Sequence, residues 1–183
     1  MTKKPLIVAG IVLMAAFYLT TIASGTTPQV NARIVKEVRH ELVTLPYYGV
    51  FDWLTFEIRP DGTVTLHGQV VRPSTKSDAE ARVKEVDGVK QVTNDIQVLP
   101  NSPNDDRLRI ALYRTIYGSN SPLFRYATQA IPSIHIIVDR GRATLKGIVS
   151  SKGDAQLAYV RARTVPGLFD VKSELVVESE LPK

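Results

Sequence analysis

The chain has no cysteine in its 183 residues, and that gap closes several routes at once. Disulfides, thiolate metal sites and cysteine nucleophiles are excluded, as is a lipid anchor that needs a cysteine at a new N-terminus. Histidine is scarce: His40, His67 and His135 fall on a helix-patterned stretch and on two separate strand-patterned stretches. No shared spacing brings them together, so they read as solvated surface residues and not as metal ligands. No G-x-S-x-G, Walker or dinucleotide fingerprint occurs, and Asp and Glu are scattered over polar faces instead of paired. No residue presents itself as catalytic, cofactor-binding or metal-binding, so neither an enzyme nor a cofactor is expected.

What is present is ordinary globular material, 44% apolar and 22% charged, close to the average of folded domains. The formal charge of +5 is unevenly placed. Residues 30–100 carry 9 Lys/Arg against 10 Asp/Glu, whereas residues 101–183 carry 12 against 8. The positive field therefore belongs to the second half, where it bears on any anionic partner.

Lys3 and Lys4 precede an almost wholly apolar run from Leu6 to Ala23, the pattern of a secretory signal. Residues 1–25 are expected to be a signal peptide or an N-terminal membrane anchor. The run would measure roughly 27 Å as a helix, the lower limit for spanning a bilayer. In either case the lysines stay cytoplasmic and the remainder is exported, so the expected location is the periplasm, soluble after cleavage or tethered by residues 6–23.

The rest of the chain is one unit written twice. Gly62-Thr63-Val64-Thr65-Leu66-His67-Gly68-Gln69-Val70 matches Gly141-Arg142-Ala143-Thr144-Leu145-Lys146-Gly147-Ile148-Val149 at an offset of 79. The offset then holds without a gap: Ala79 meets Ala158, Val86 meets Val165, Gly88 meets Gly167 and Val98 meets Val177. Upstream, Ile34, Val38 and Leu42 match Leu108, Leu112 and Ile116 at an offset of 74, so the second copy has about five extra residues after its first helix. Conserved spacing of this kind marks an internal repeat.

Each copy reads as helix, strand, strand, helix, strand. Ile34, Val38 and Leu42 form an apolar stripe at helical spacing over 32–44. Leu54, Phe56 and Ile58 alternate with Thr55, Glu57 and Arg59 as in a half-buried strand. Asp61-Gly62 and Arg140-Gly141 supply the positive φ of hairpin turns. Ala79, Val83 and Val86 face inward on a second helix, and one strand from Val92 to Val98 closes the unit. The second copy places strands at about 133–139, 142–149 and 170–178. The expected fold is α+β: two tandem αββαβ repeats over 30–100 and 107–179, joined by a linker at 101–106. Each would be a small three-stranded mixed sheet with two helices on one face. Units this small are marginal alone, so the halves are expected to pack together. The face of the second sheet away from its helices, with His135, Ile137, Thr144 and Ile148, is the more apolar and reads as a contact surface.

Gly68-x-Val70, then a helix with small residues, then Val86-x-Gly88-Val89-x-x-Val92-x-Asn94-x-Ile96-x-Val98 resembles the BON domain, a small bacterial envelope module. The second copy is similar, Gly147-x-Val149 and Val165-x-Gly167-Leu168-x-x-Val171-x-Ser173-x-Leu175-x-Val177, departing at Leu168 and at Ser173, where the family has Asn. The resemblance implies a non-catalytic envelope protein supporting integrity under osmotic stress. Some members bind anionic phospholipid through the second domain. It also implies structural roles for recurrent glycines: Gly68 and Gly147 would let a helix approach the strand, and Gly88 and Gly167 would end a helix.

The scarce aromatics gather in two loops. One is Pro46-Tyr47-Tyr48-Gly49-Val50-Phe51-Asp52-Trp53. The other runs from Tyr113-Arg114 to Tyr126. Both can fold back to cap the small cores. In the second, Arg114, Tyr117, Leu123, Phe124, Arg125 and Tyr126 combine aromatic and cationic character suited to lipid headgroups. Shallow insertion of Leu123, Phe124 and Tyr126 would follow. The expected partner is an anionic phospholipid membrane or another envelope protein, not nucleic acid. Two other readings stay open: a soluble periplasmic protein-binding or chaperone-like stress protein, and an anchored accessory subunit of a membrane assembly.

Overall fold

The stripe Ile34, Val38, Leu42 is the inner side of helix α1 (Pro28–Val43) in a computed structural model that describes residues 28–181. The expected signal or anchor over 1–25 thus lies outside the described residues. No described helix is long and apolar enough to cross a membrane. After α1 come β1 (Trp53–Ile58), β2 (Thr63–Val70) and α2 (Pro73–Lys84). The repeat closes with β3 (Gln91–Asn94) and β4 (Gln97–Val98). The second repeat comprises α3 (Pro103–Tyr117), a 3-10 helix (Pro122–Thr128), β5 (Ile134–Asp139), β6 (Arg142–Val149), α4 (Lys152–Arg163) and β7 (Asp170–Val177). The architecture is mixed α+β, with two small mixed sheets and their helices.

In each sheet the first two strands are antiparallel and the third returns parallel to the middle one, as a helical crossover requires. The two cores are separate. Ile34, Val38, Leu42, Val64, Leu66, Val70, Ala79 and Val83 fill the first. Leu108, Leu112, Ile116, Ile134, Ile136, Leu145, Ala158 and Ala162 fill the second.

Three sequence expectations are corrected. The stretch at 101–106 is not all linker: Ser102 caps α3 by accepting from Asp105 N at 3.2 Å, and Pro103 opens the first turn, where its missing N–H costs nothing. The closing strand of the first repeat is not continuous. Asn94 Oδ1 accepts from Ile96 N and its Nδ2 donates to Lys76 O and Glu80, so the chain turns aside between β3 and β4. Ser173 stands at the equivalent position, and β7 runs unbroken through it.

The third correction concerns Gly68 and Gly147. A Cβ at Gly68 would lie 1.9 Å from Trp53 O, and one at Gly147 2.0 Å from Ser133 O. The close approach is therefore by the backbone of the neighbouring strand, not by a helix. Gly62, Gly88, Gly141 and Gly167 all hold positive φ in the turns where they were expected. Arg140 shares that conformation at φ 49°. Its cost is offset by Asp105, whose buried carboxylate accepts from Arg140 N at 2.9 Å and Gly141 N at 2.8 Å.

Candidate functional site

With Leu108, Leu112 and Ile116 turned inward, α3 shows Arg107, Ile110 and Arg114 to solvent. Their spacing of three and four residues places them on one stripe. Ile110 is 44% exposed, and with Asp106 and Ala111 these residues line a shallow depression of about 420 Å³. Asp106 already bonds the buried Arg109, so the stripe is cationic around an aliphatic centre.

The 3-10 helix divides the residues expected to meet lipid. Tyr117, Leu123 and Tyr126 are buried. The Tyr117 hydroxyl donates to Ile134 O at 2.6 Å and accepts from Ile134 N at 3.1 Å; burial pushes its phenol well above the ordinary value. Leu123 is fully enclosed in the second core, and the Tyr126 hydroxyl donates to Asp154 at 2.9 Å while accepting from Ser150 N. Insertion of Leu123 and Tyr126 into a bilayer is thus not what this fold offers, because both complete a core too small to spare them. Three residues per turn put 123 and 126 on the same side, a spacing readable in the sequence once a 3-10 turn is assumed.

Phe124 is 46% exposed, and Arg114 and Arg125 also face solvent. Arg125, however, is engaged: it donates to Asp154 Oδ2 at 2.6 Å, where Ser151 Oγ also donates at 2.8 Å. Burial alone would raise the Asp154 carboxyl; the bonds from Ser151, Tyr126 and Arg125 outweigh it and hold the group below its ordinary range. Phe169, 79% exposed, stands beside the β5–β6 turn at Gly141; the sequence pattern did not single it out.

The aromatic loop of the first repeat does not simply cap its own core. Val50 and Phe51 pack against the core of the second repeat, and Phe51 meets the Tyr113 ring edge-on at 6.3 Å. Val50 O accepts from Ile136 N on the outer edge of β5 at 2.8 Å. His135, expected at the surface, is only 7% exposed, with the Tyr48 and Trp53 rings at 5.6 and 5.1 Å. Burial holds its imidazole below the ordinary value, against bonds to the backbone of Asp52 and Gly49. Nδ1 has no partner among the described residues. Asp52 is buried beside it, accepting from Val71 N at 2.7 Å and Gly49 N at 3.0 Å. Burial nevertheless raises its carboxyl, and Tyr48 is pushed up to about 12 for the same reason. The expected packing of the halves is therefore a built joint. Sequence reading took His135 for a solvated residue because its ring partners lie in the other repeat; it missed Asp52 and Arg109 because their partners Val71 N and Val138 O lie far along the chain in the same repeat. Among the described residues, no group of His, Asp and Glu could hold a metal ion.

The BON domain family model matches residues 56–100 and 124–179, one segment in each repeat. No curated protein matches the chain. Among solved structures, one of CdsD, a structural protein of the type III secretion system of Chlamydia trachomatis, is 14% identical. It covers 82% of this chain and 93% of that one, with a TM-score of 0.32. A structure of the CdsD C-terminal domain is 15% identical, with coverage of 81% and 98% and a TM-score of 0.29. Scores this low support no inference from CdsD to this chain.

Proposed function

The chain belongs to the BON domain family, and from that premise we propose that it is a non-catalytic module of the bacterial envelope that docks on anionic phospholipid through its second repeat. One observation carries this reading: the solvent stripe of α3, with Arg107 and Arg114 on either side of the exposed Ile110. Cations at that spacing meet phosphates while the aliphatic centre lies at headgroup depth. The charge excess of the second half, 12 basic against 8 acidic residues, draws that repeat toward an anionic surface. Residues 30–100 and 107–179 are the two functional units of this reading, and α3 extends the second back to Pro103. The place of action is the periplasmic side of a membrane, reached by export through residues 1–25.

The test is flotation of residues 26–183 with liposomes, anionic against zwitterionic, at low and high salt. Salt-sensitive flotation with anionic lipid alone is expected. Each basic residue near such a surface contributes about 1 kcal/mol, so Arg107→Glu with Arg114→Glu should abolish it. Arg125→Glu is a poorer probe, since it also breaks the pair with Asp154. Absence of flotation in every condition would overturn the lipid reading and leave protein partners in its place.

A further inference from the structure

The two sheets end in equivalent edge strands that are treated very differently. In antiparallel pairs, alternate residues turn their backbone away from the neighbouring strand. On β5 these are Ile134, Ile136 and Val138, and each is met. Tyr117 bonds both N–H and C=O of Ile134, Val50 O accepts from Ile136 N, and Arg109 donates to Val138 O at 2.7 Å. On β1 the counterparts are Leu54, Phe56 and Ile58. The Tyr48 hydroxyl faces the Leu54 backbone closely enough to affect its acidity, but among the described residues nothing bonds the outward backbone of Phe56 or Ile58.

The helix side chains that close β5 have no polar counterpart at the equivalent positions of α1. At the helix offset of 74, Arg109 corresponds to Val35 and Tyr117 to Val43. In place of a closed edge there is an apolar groove of about 890 Å³, lined by Val35, Val43, Leu54, Phe56, Ile58 and Trp53 among others. It is continuous with the joint between the repeats, because Tyr48 and Trp53, which flank His135, also line it. Unpaired edges next to apolar side chains are templates for another chain.

We propose that this groove receives a second copy of the chain, whose second repeat presents the segment before β5 to β1 just as the segment before β1 is presented to β5 within one molecule. The chain carries both halves of the contact. Counting back from the matched strands, Ala130 corresponds to Val50, and residues 128–130 are exposed. Charge agrees: the second repeat with 12 basic and 8 acidic residues would meet a first repeat with 9 and 10, as already happens inside the molecule. Such a contact is head-to-tail and leaves a further open β1 on the incoming molecule, so it propagates until a ring closes or a filament grows.

The natural absence of cysteine makes the test direct. Within one molecule, Tyr48 meets His135; the equivalent intermolecular pair is Thr128 and Thr55, both exposed. Full-length Thr55→Cys and Thr128→Cys chains are mixed in detergent and oxidised. A covalent heterodimer from the mixture, and a ladder of higher species from a chain carrying both substitutions, are expected. Val43→Glu, at a position 45% exposed and so tolerable to the fold, should abolish both. Heterodimer that survives Val43→Glu, a Thr55→Cys homodimer, or no crosslink in a chain that melts normally would each overturn the proposal. So would capture of Thr55→Cys by a different envelope protein.

Discussion

His135 shows how one side chain couples the joint to pH. It sits neutral between Tyr48 and Trp53, its imidazole held below the ordinary 6.5 by burial. The unfolded chain takes up this proton as pH falls through about 6.5, while the folded chain resists until its lower value is reached. Stability contributed here is therefore complete above the unfolded value and is lost as pH drops below it, ceasing to change once both states are protonated. Asp52 acts in the opposite sense and lower on the scale. Its folded carboxyl is raised above 3.8, so the folded state gains protons first and acid relieves the cost of burying its charge. The expected outcome is that thermal stability falls between pH 7 and the folded value of His135, and that His135→Gln flattens this slope. An unchanged slope in the variant would mean that other groups govern acid sensitivity. The one sequence signal is the apolar sheet face that His135 shares with Ile137, Thr144 and Ile148, read as a contact surface; taken alone, a histidine between isoleucines on a strand looks solvated until the other repeat covers it.

At the level of elements, the sequence was legible wherever a position packs within its own repeat. The stripes Ile34–Val38–Leu42 and Leu108–Leu112–Ile116, the alternation on β2 and β6 and the turn glycines all follow from local periodicity. The elements lie where those patterns put them, within a few residues. What could not be read was side-chain bonding that overrides the pattern, and Asn94 is the instructive case. Alternation of Val92, Asn94, Ile96 and Val98 suggests one strand, but the Asn94 amide bonds Lys76 O, Glu80 and Ile96 N and splits it into β3 and β4. Asn94→Ser, which installs the residue of the second repeat, removes all three bonds. The groups left without a partner are only part-buried, so the cost is about 1 kcal/mol and the urea midpoint should fall by that equivalent. Amide exchange at Ile96 should also quicken relative to Val98. If neither changes, the interrupted strand is set by something other than Asn94.

For the whole molecule, the question is whether two repeats with separate cores behave as one cooperative body. Each core is complete without the other: 15 buried residues form the second and 11 the first. The joint adds Val50 and Phe51 to the outside of the second core, one backbone bond at Ile136, and the burial of His135 and Asp52. Phe51 is the apolar anchor of that joint, half-buried against Tyr113, and a charge there would strand a carboxylate in an apolar contact. The native chain is therefore expected to melt in a single calorimetric transition. Phe51→Asp should resolve it into two, the first repeat unfolding earlier because it buries fewer apolar residues. Since Phe51 lies outside the first core altogether, early loss of that repeat in the variant would measure what the joint contributes to it. A single transition at an unaltered temperature would show instead that the repeats are coupled elsewhere, with the sheet faces around Gln69, Leu99, Ile137 and Thr144 the next place to look.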